Sequence, residues 1–309
     1  MSDTPTIEFG SFDFFCSQAS LPFCSLVGQK FMPTCYARNL EFYGYLIFQA
    51  ATIVMAVVAL IMAFIMIIHI KSKYTAVGRK EVVKFYYYYC LYIIVEVVAS
   101  TGIIPMYSEY YPWVVHTYFG IVGATCTALL FSGFVSFQWI EDGTPKSLWL
   151  IRVAALLSFG LNFAASFLTF QSPQMFDPKK PLILFVLFFV VNGAEILIYF
   201  LMQVFLVVTV LDEKWPLGAI LFAAAFYIIG IVSEFILGNE ICNYCAHYID
   251  GVFFGFTFIL LSVMMVYKYW DSITKEDLEF SVGKNQTVWE IKEPTYYNMN
   301  DKGQPPRPF

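Results

Sequence analysis

Residues Phe42–Ile70 read FYGYLIFQAATIVMAVVALIMAFIMIIHI, and Lys71–Lys80 follow as KSKYTAVGRK. The first stretch is almost wholly apolar, with Gln49 and His69 near its two ends. About 20 apolar residues suffice to cross a bilayer as a helix, so this stretch spans with length to spare and accommodates the excess by tilting. The segment behind it carries Lys71, Lys73, Arg79 and Lys80. Short basic loops are retained on the cytosolic side. The first span therefore places its N-terminus outside, in a lumen or the extracellular space, and sets the direction of every later crossing.

Composition agrees with that class. Hydrophobic residues make up 59% of the chain and charged residues 13%, with a mean hydropathy of +0.66. Soluble domains carry about 25% charged residues, a gap too wide for a large core to explain. The fold class expected is all-α, a polytopic membrane protein of seven transmembrane helices with a cytosolic C-terminus. The formal charge of −5 resides in loops and tails. No basic stripe with interleaved aromatics points to nucleic acid. Met1–Glu41 lacks a basic start followed by an apolar run, so the first span is expected to act as signal and anchor together.

Three regions follow: a Cys-containing outer tail at 1–41, a seven-helix bundle at 42–268 and a cytosolic tail at 269–309. Cys16, Cys24 and Cys35 in the tail point to disulfides in an oxidising lumen. The competing reading is free thiols in a cytosolic tail. After the first span, the expected crossings are Val82–Ile104, Trp113–Ile140, Ser147–Phe170, Pro181–Leu211, Trp215–Leu237 and Gly251–Tyr267. Tyr86–Tyr89 suit an interface, and Gly120, Gly123, Ala124 and Gly133 permit close helix packing. Lys179 and Lys180 stand on the outer side against the charge rule, outweighed by the four basic residues after the first span. The C-terminal tail ends in QPPRPF and has a composition that does not pack.

The intramembrane polar residues are Glu96, Arg152, Asn192, Glu195 and Glu234. A carboxylate within a span is costly and by default a functional suspect. Yet the three glutamates lie on different helices, and only Arg152, which can snorkel to the interface, offers a basic partner. Three uses stay open: interhelical hydrogen bonding, proton or solute transport, and binding of another membrane protein. Cys242-Asn-Tyr-Cys245 has redox spacing but no thioredoxin-like context. A disulfide from Cys242 or Cys245 to the N-terminal tail fits better, with zinc beside His247 a weaker option.

No nucleophile elbow, phosphate loop, HExxH or paired catalytic carboxylates occur, so no catalytic residue, resident metal or cofactor is expected. Asp277-Leu-Glu279 has the form of a di-acidic export signal read by vesicle coat proteins, and also of an ordinary solvated acidic tail. Asn285-Gln-Thr287 fits a glycan acceptor, which the expected topology leaves bare in the cytosol.

Several segments together resemble one family. They are Leu21-Pro22-Phe23-Cys24-Ser25, Pro33-Thr34-Cys35-Tyr36-Ala37-Arg38, Lys73-Tyr74-Thr75-Ala76-Val77-Gly78-Arg79 and Trp139-Ile140-Glu141-Asp142-Gly143-Thr144, then His247-Tyr248-Ile249-Asp250-Gly251 and MMVYKYWD with DLEF behind it. The chain is similar to the fungal chitin synthase export chaperones from Cys16 to about Phe280. The resemblance implies a multi-pass protein of the endoplasmic reticulum. Such a protein binds newly made chitin synthase, prevents its aggregation and permits its exit toward the cell surface. It also implies that Cys16, Cys24, Cys35 and Cys242 are the outer disulfide cysteines, with Cys245 left over. Four cysteines allow three pairings.

Physical logic adds a lateral, helix-to-helix contact with the synthase within the lipid, on the aromatic second span or the seventh span with its tail. The alternative from another class is a seven-span receptor or transporter using the intramembrane carboxylates.

Overall fold

The structure, a computed structural model, describes residues 8–27, 33–42, 45–137, 142–171, 180–211 and 214–289, with side chains described up to residue 274. Most of the loop after the fourth span, the terminal QPPRPF and the side chains of Asp277, Glu279 and Asn285 lie outside the described residues.

Seven helices among the described residues are long and apolar enough to cross a membrane. Two short helices come first, α1 (Asp13–Gln18) and α2 (Cys24–Val27), then strands β1 (Leu40–Phe42) and β2 (Tyr45–Ile47). The spans are α3 (Ala50–Ser72), α4 (Arg79–Ser100), α5 (Tyr111–Ser136), α6 (Pro145–Gln171), α7 (Leu182–Thr209), α8 (Pro216–Phe235) and α10 (Gly251–Trp289). A short helix α9 (Gly238–Tyr244) precedes the last of these. Proline opens or nearly opens α5, α6 and α8, where its missing N–H leaves no bond unmade.

Two boundaries and one stretch of internal winding stand out against the sequence expectation. The first span begins at Ala50, because residues before it form an antiparallel hairpin pairing Leu40 with Ile47 and Phe42 with Tyr45. Gln49 sits in the left-handed region at φ 51° and ends that extended run. The last helix continues past Tyr267 to Trp289. Within α7, residues Val186–Val191 are wound as a π-helix, which widens the turn and re-aims the side chains that follow.

The most extensive helix contacts are α8 with α10 and α5 with α6. Small residues permit them: Gly230 lies against Gly255 and Phe258, Gly120 against Phe159 and Gly123 against Asn162. Within lipid, such close backbone approach supplies the packing that hydrophobic burial does not. The α5–α10 region also holds a cavity between α4, α5, α7, α8 and α10.

Candidate functional site at the two ends of the bundle and the cavity between them

The N-terminal segment is not a loose tail. Phe12 and Phe23 are wholly buried. They pack on each other at 4.9 Å between ring centres, and Phe23 packs on Phe119 of α5 at 5.2 Å. Phe15 meets Phe189 of α7 at 4.6 Å and Phe235 of α8 at 5.7 Å. The segment is thus a plug seated in one mouth of the bundle. Each buried phenylalanine contributes about 1.5–3 kcal/mol. Polar ties hold its backbone: Tyr111 donates to the Pro22 carbonyl at 2.7 Å, and the Gln49 amide donates to the Ser20 carbonyl and hydroxyl at 3.1 and 2.9 Å.

Two disulfides complete this cap end. Cys16–Cys24 staples α1 to α2, with Cα atoms 5.6 Å apart. Cys35–Cys242, with Cα atoms 5.9 Å apart, ties the segment to α9 across 207 residues of sequence. His247 lies beside this second bridge, its Nδ1 3.1 Å from the Cys35 sulfur. Cys35, Cys242 and His247 form a group of metal-ligand type, but sulfurs joined as a disulfide have no thiolate to offer a metal. Alongside, the Arg38 N–H donates to the His247 carbonyl at 2.8 Å and the Arg38 guanidinium stacks over the Tyr248 ring at 4.2 Å. Cys245 remains a free thiol. On the rim, Lys180 pairs with Glu8 at 3.3 Å.

Asp250 caps α10 by accepting from the Phe253 N–H at 3.0 Å. Burial pushes its carboxyl above the usual carboxylate range, against the pull of that hydrogen bond. A raised carboxyl stabilises the fold fully only below its unfolded value of about 3.9, and that contribution fades as pH rises through the folded value. Asp250→Asn keeps a capping side chain and removes this dependence. Melting curves across pH are expected to show the variant gaining on the wild type toward neutral pH, the two converging near pH 4.

The opposite end is fastened by a clasp of three segments. Glu81, wholly buried at the start of α4, accepts from the Gly143 N–H at 2.8 Å and the Ser147 hydroxyl at 2.7 Å. In return, Lys80 donates to the Gly143 carbonyl at 3.1 Å and the Gly78 N–H donates to Asp142 at 3.2 Å. From α10, Asp271 forms an ion pair with Lys73, and the Trp270 indole donates to the Val77 carbonyl at 3.2 Å. Gly78 and Gly143 hold positive φ, 68° and 66°, which glycine adopts without steric cost. Glu81→Ala leaves the buried Ser147 hydroxyl and the half-buried Gly143 N–H without this acceptor, and a buried donor left unpaired costs about 1–3 kcal/mol. Thermal unfolding in detergent is expected to drop by that order, with Glu81→Gln milder because an amide oxygen still accepts.

Between the two ends lies a cavity of about 330 Å³. Its walls are mostly aromatic and aliphatic, from Phe85 and Tyr89 of α4 to Val263 and Val266 of α10. Asn192, Glu234, Tyr92 and Tyr118 also line it.

Residues 8–284 match the family described as chitin synthase export chaperone. This chain belongs to that family. Among its relatives, a protein named chitin synthase export chaperone from Cryptococcus neoformans var. neoformans serotype D is 46% identical over 297 residues, covering 95% of this chain and 82% of that protein. One of the same name from Gibberella zeae is 45% identical over 293 residues, covering 92% and 88% respectively. A third, from Coccidioides immitis, is 46% identical over 294 residues, covering 93% and 89%. No solved structure matches the chain.

In this export-chaperone family member, the segments that carried the resemblance meet at the two ends. The KYTAVGR, DGT and YKYWD segments form the clasp, and the LPFCS, TCYAR and HYIDG segments form the cap.

The structure brings some of the intramembrane polar residues together and leaves others apart. Glu96 and Glu234 are near enough for their charges to interact, both beside Tyr92 and Tyr118. Glu195 is apart, accepting from the Thr127 hydroxyl at 3.0 Å. Asn192 faces the cavity, and Arg152 remains exposed on α6. Glu81 was missed in the sequence because it reads there as one more charge in a basic loop. The signal available was its place in the first turn of a helix, where carboxylates find N–H donors.

Proposed function

We propose that this protein is a membrane-embedded chaperone for chitin synthase. It binds the newly made synthase in the endoplasmic reticulum, prevents its aggregation and allows its exit toward the cell surface, performing no catalysis itself. The observation that carries this reading is the family match over residues 8–284.

The cap end faces the lumen in this reading, since disulfides persist in an oxidising compartment. The clasp end, rich in Lys71, Lys73, Arg79 and Lys80, faces the cytosol. The Asp277-Leu-Glu279 segment then lies on the side where vesicle coat proteins assemble, and Asn285 stays unglycosylated.

A synthase with many spans carries polar helix faces that are costly against lipid until covered. A chaperone that covers them stabilises the folded client by mass action. Of the aromatic residues that first suggested α4 as the contact, Tyr86 and Tyr89 turn inward, while Tyr87 is exposed and Tyr88 half-buried, so α4 offers a narrower aromatic face than its sequence suggests. We place the lateral contact on α6, the least buried span, which packs chiefly on α5. It directs Leu156, Leu157 and Leu161 outward among the lipids.

Single cysteines at these three positions, cross-linked in membranes carrying newly made synthase, test the contact. Cross-links to synthase from α6 and none from Val54 or Ile61 on the exposed face of α3 are expected. Equal cross-linking from both helices would remove α6 as the contact.

A further inference from the structure

We propose that the cavity binds the hydroxyl-bearing end of one neutral membrane lipid. This goes beyond the export role and does not rest on it.

The cavity volume of about 330 Å³ lies at the small end of ligand sites, roughly 300–1,000 Å³. Its polar groups are few and waiting. Asn192 is 4% exposed, and both its amide oxygen and its amide nitrogen lack a hydrogen-bond partner among the described residues. The Tyr89 hydroxyl is also buried and unpartnered. Buried polar atoms in folded proteins are nearly always paired, and within a bilayer no bulk water relieves them. A lipid hydroxyl that donates to the Asn192 oxygen and accepts from its N–H would satisfy both amide atoms, and the Tyr89 hydroxyl is a further donor in the same lining.

The wall is shaped for an occupant. The π-helical turn Val186–Val191 runs directly into Asn192, and such turns recur at functional sites. Gly193, the next residue, also lines the cavity, and a Cβ built on it would meet nothing within 4 Å.

The route of entry and the charge select the ligand class. Phe188 and Phe189, which line the cavity, are covered on the cap side by the plug residues Phe12, Phe15 and Phe23. A soluble molecule arriving from that side meets a closed aromatic roof, which favours a ligand drawn from the surrounding bilayer. No lysine, arginine or histidine lines the cavity and one carboxyl, Glu234, does. Phosphate-bearing lipids and fatty acids would bring an anion without a partner. A neutral hydroxyl head suits the site, on a sterol or on a diacylglycerol-like lipid.

The test uses the full chain in nanodiscs with two photoreactive probes, a sterol and a diacylglycerol, each with its hydroxyl free or methylated. Labelling by one of the free-hydroxyl probes is expected on peptides containing Tyr89 or Asn192. The methylated partner should label these peptides roughly ten-fold less, as fits loss of one well-made buried hydrogen bond. Gly193→Leu fills the space and Asn192→Leu removes the polar anchor, and each should lower labelling by a similar factor. Which probe labels identifies the lipid source.

Native mass spectrometry of the unaltered protein, reading whether one such lipid stays bound, covers the case in which both variants fail to fold. Labelling spread over lipid-facing helices, equal labelling by the methylated probes, or no retained lipid overturns the proposal. Synthase export measured in parallel keeps such a failure separate from a failure of the chaperone role.

Discussion

Cys35→Ser is expected to lower the stability of the folded chain by about 2–5 kcal/mol, the usual cost of losing a native disulfide. The Cys35–Cys242 bridge closes a loop of 207 residues in sequence. In the loop-closure picture, long loops gain most from a cross-link, because the unfolded chain loses most freedom. The bridge also fastens the plug at its trailing end, so its loss lets Phe12 and Phe23 leave the mouth of the bundle.

The readout is the fraction of protein surviving a heating series in detergent, followed by gel filtration. Cys242→Ser should behave alike, and the double variant should be no worse than either single one, since both remove the same bond. Cys245→Ser, a half-exposed free thiol, should stay within about 0.5 kcal/mol of the wild type. Single variants as stable as the wild type would show that the plug is held without the bridge.

Gly251→Val is expected to be as damaging, at about 3 kcal/mol, the upper part of the range for overpacked sites. Three stretches of backbone cross where the cap meets α10. A Cβ at Gly251 would lie 2.5 Å from the Ser233 carbonyl oxygen and 2.6 Å from the Gly238 Cα. Gly238 in turn faces the Gln18 carbonyl with no room for a side chain. Backbone on every side leaves no flexible side chain to yield, so α8, α9 and the plug must separate. Gly160→Ala on α6 is the control, because a Cβ there meets nothing within 4 Å. Its helix should gain about 0.5–1 kcal/mol from the better helix former. A Gly251→Val protein melting with the wild type would contradict the packing at this crossing.

The seven spans were legible because each is an apolar run longer than a globular helix needs, broken by prolines, glycines and charges. The seating of the N-terminal segment was not. Phe12 and Phe23 lie among serines and cysteines, and nothing local says that they enter the bundle, because their partners Phe119 and Phe189 are distant in sequence. Phe42–Ile47, part of the Leu40–Ile47 hairpin, was read as the start of a span because the same apolar and aromatic residues suit a strand or a helix when the run is short. The cysteine pairing was open for a similar reason: three connectivities are equivalent until the fold brings Cys35 to Cys242. Glu96 and Glu234 were visible as costly residues, but their meeting beside Tyr92 and Tyr118 depends on how α4 and α8 rotate about their axes. Apolar spans with lipid on one side give little periodicity from which to read that rotation.

The most direct measurement of the chaperone role is the location of tagged chitin synthase in fungal cells lacking this chain, with and without its return. Synthase held and aggregated in the endoplasmic reticulum, released to the cell surface when the chain is restored, is the predicted result. Synthase reaching the surface normally without the chain, with chitin in the wall unchanged, would contradict it.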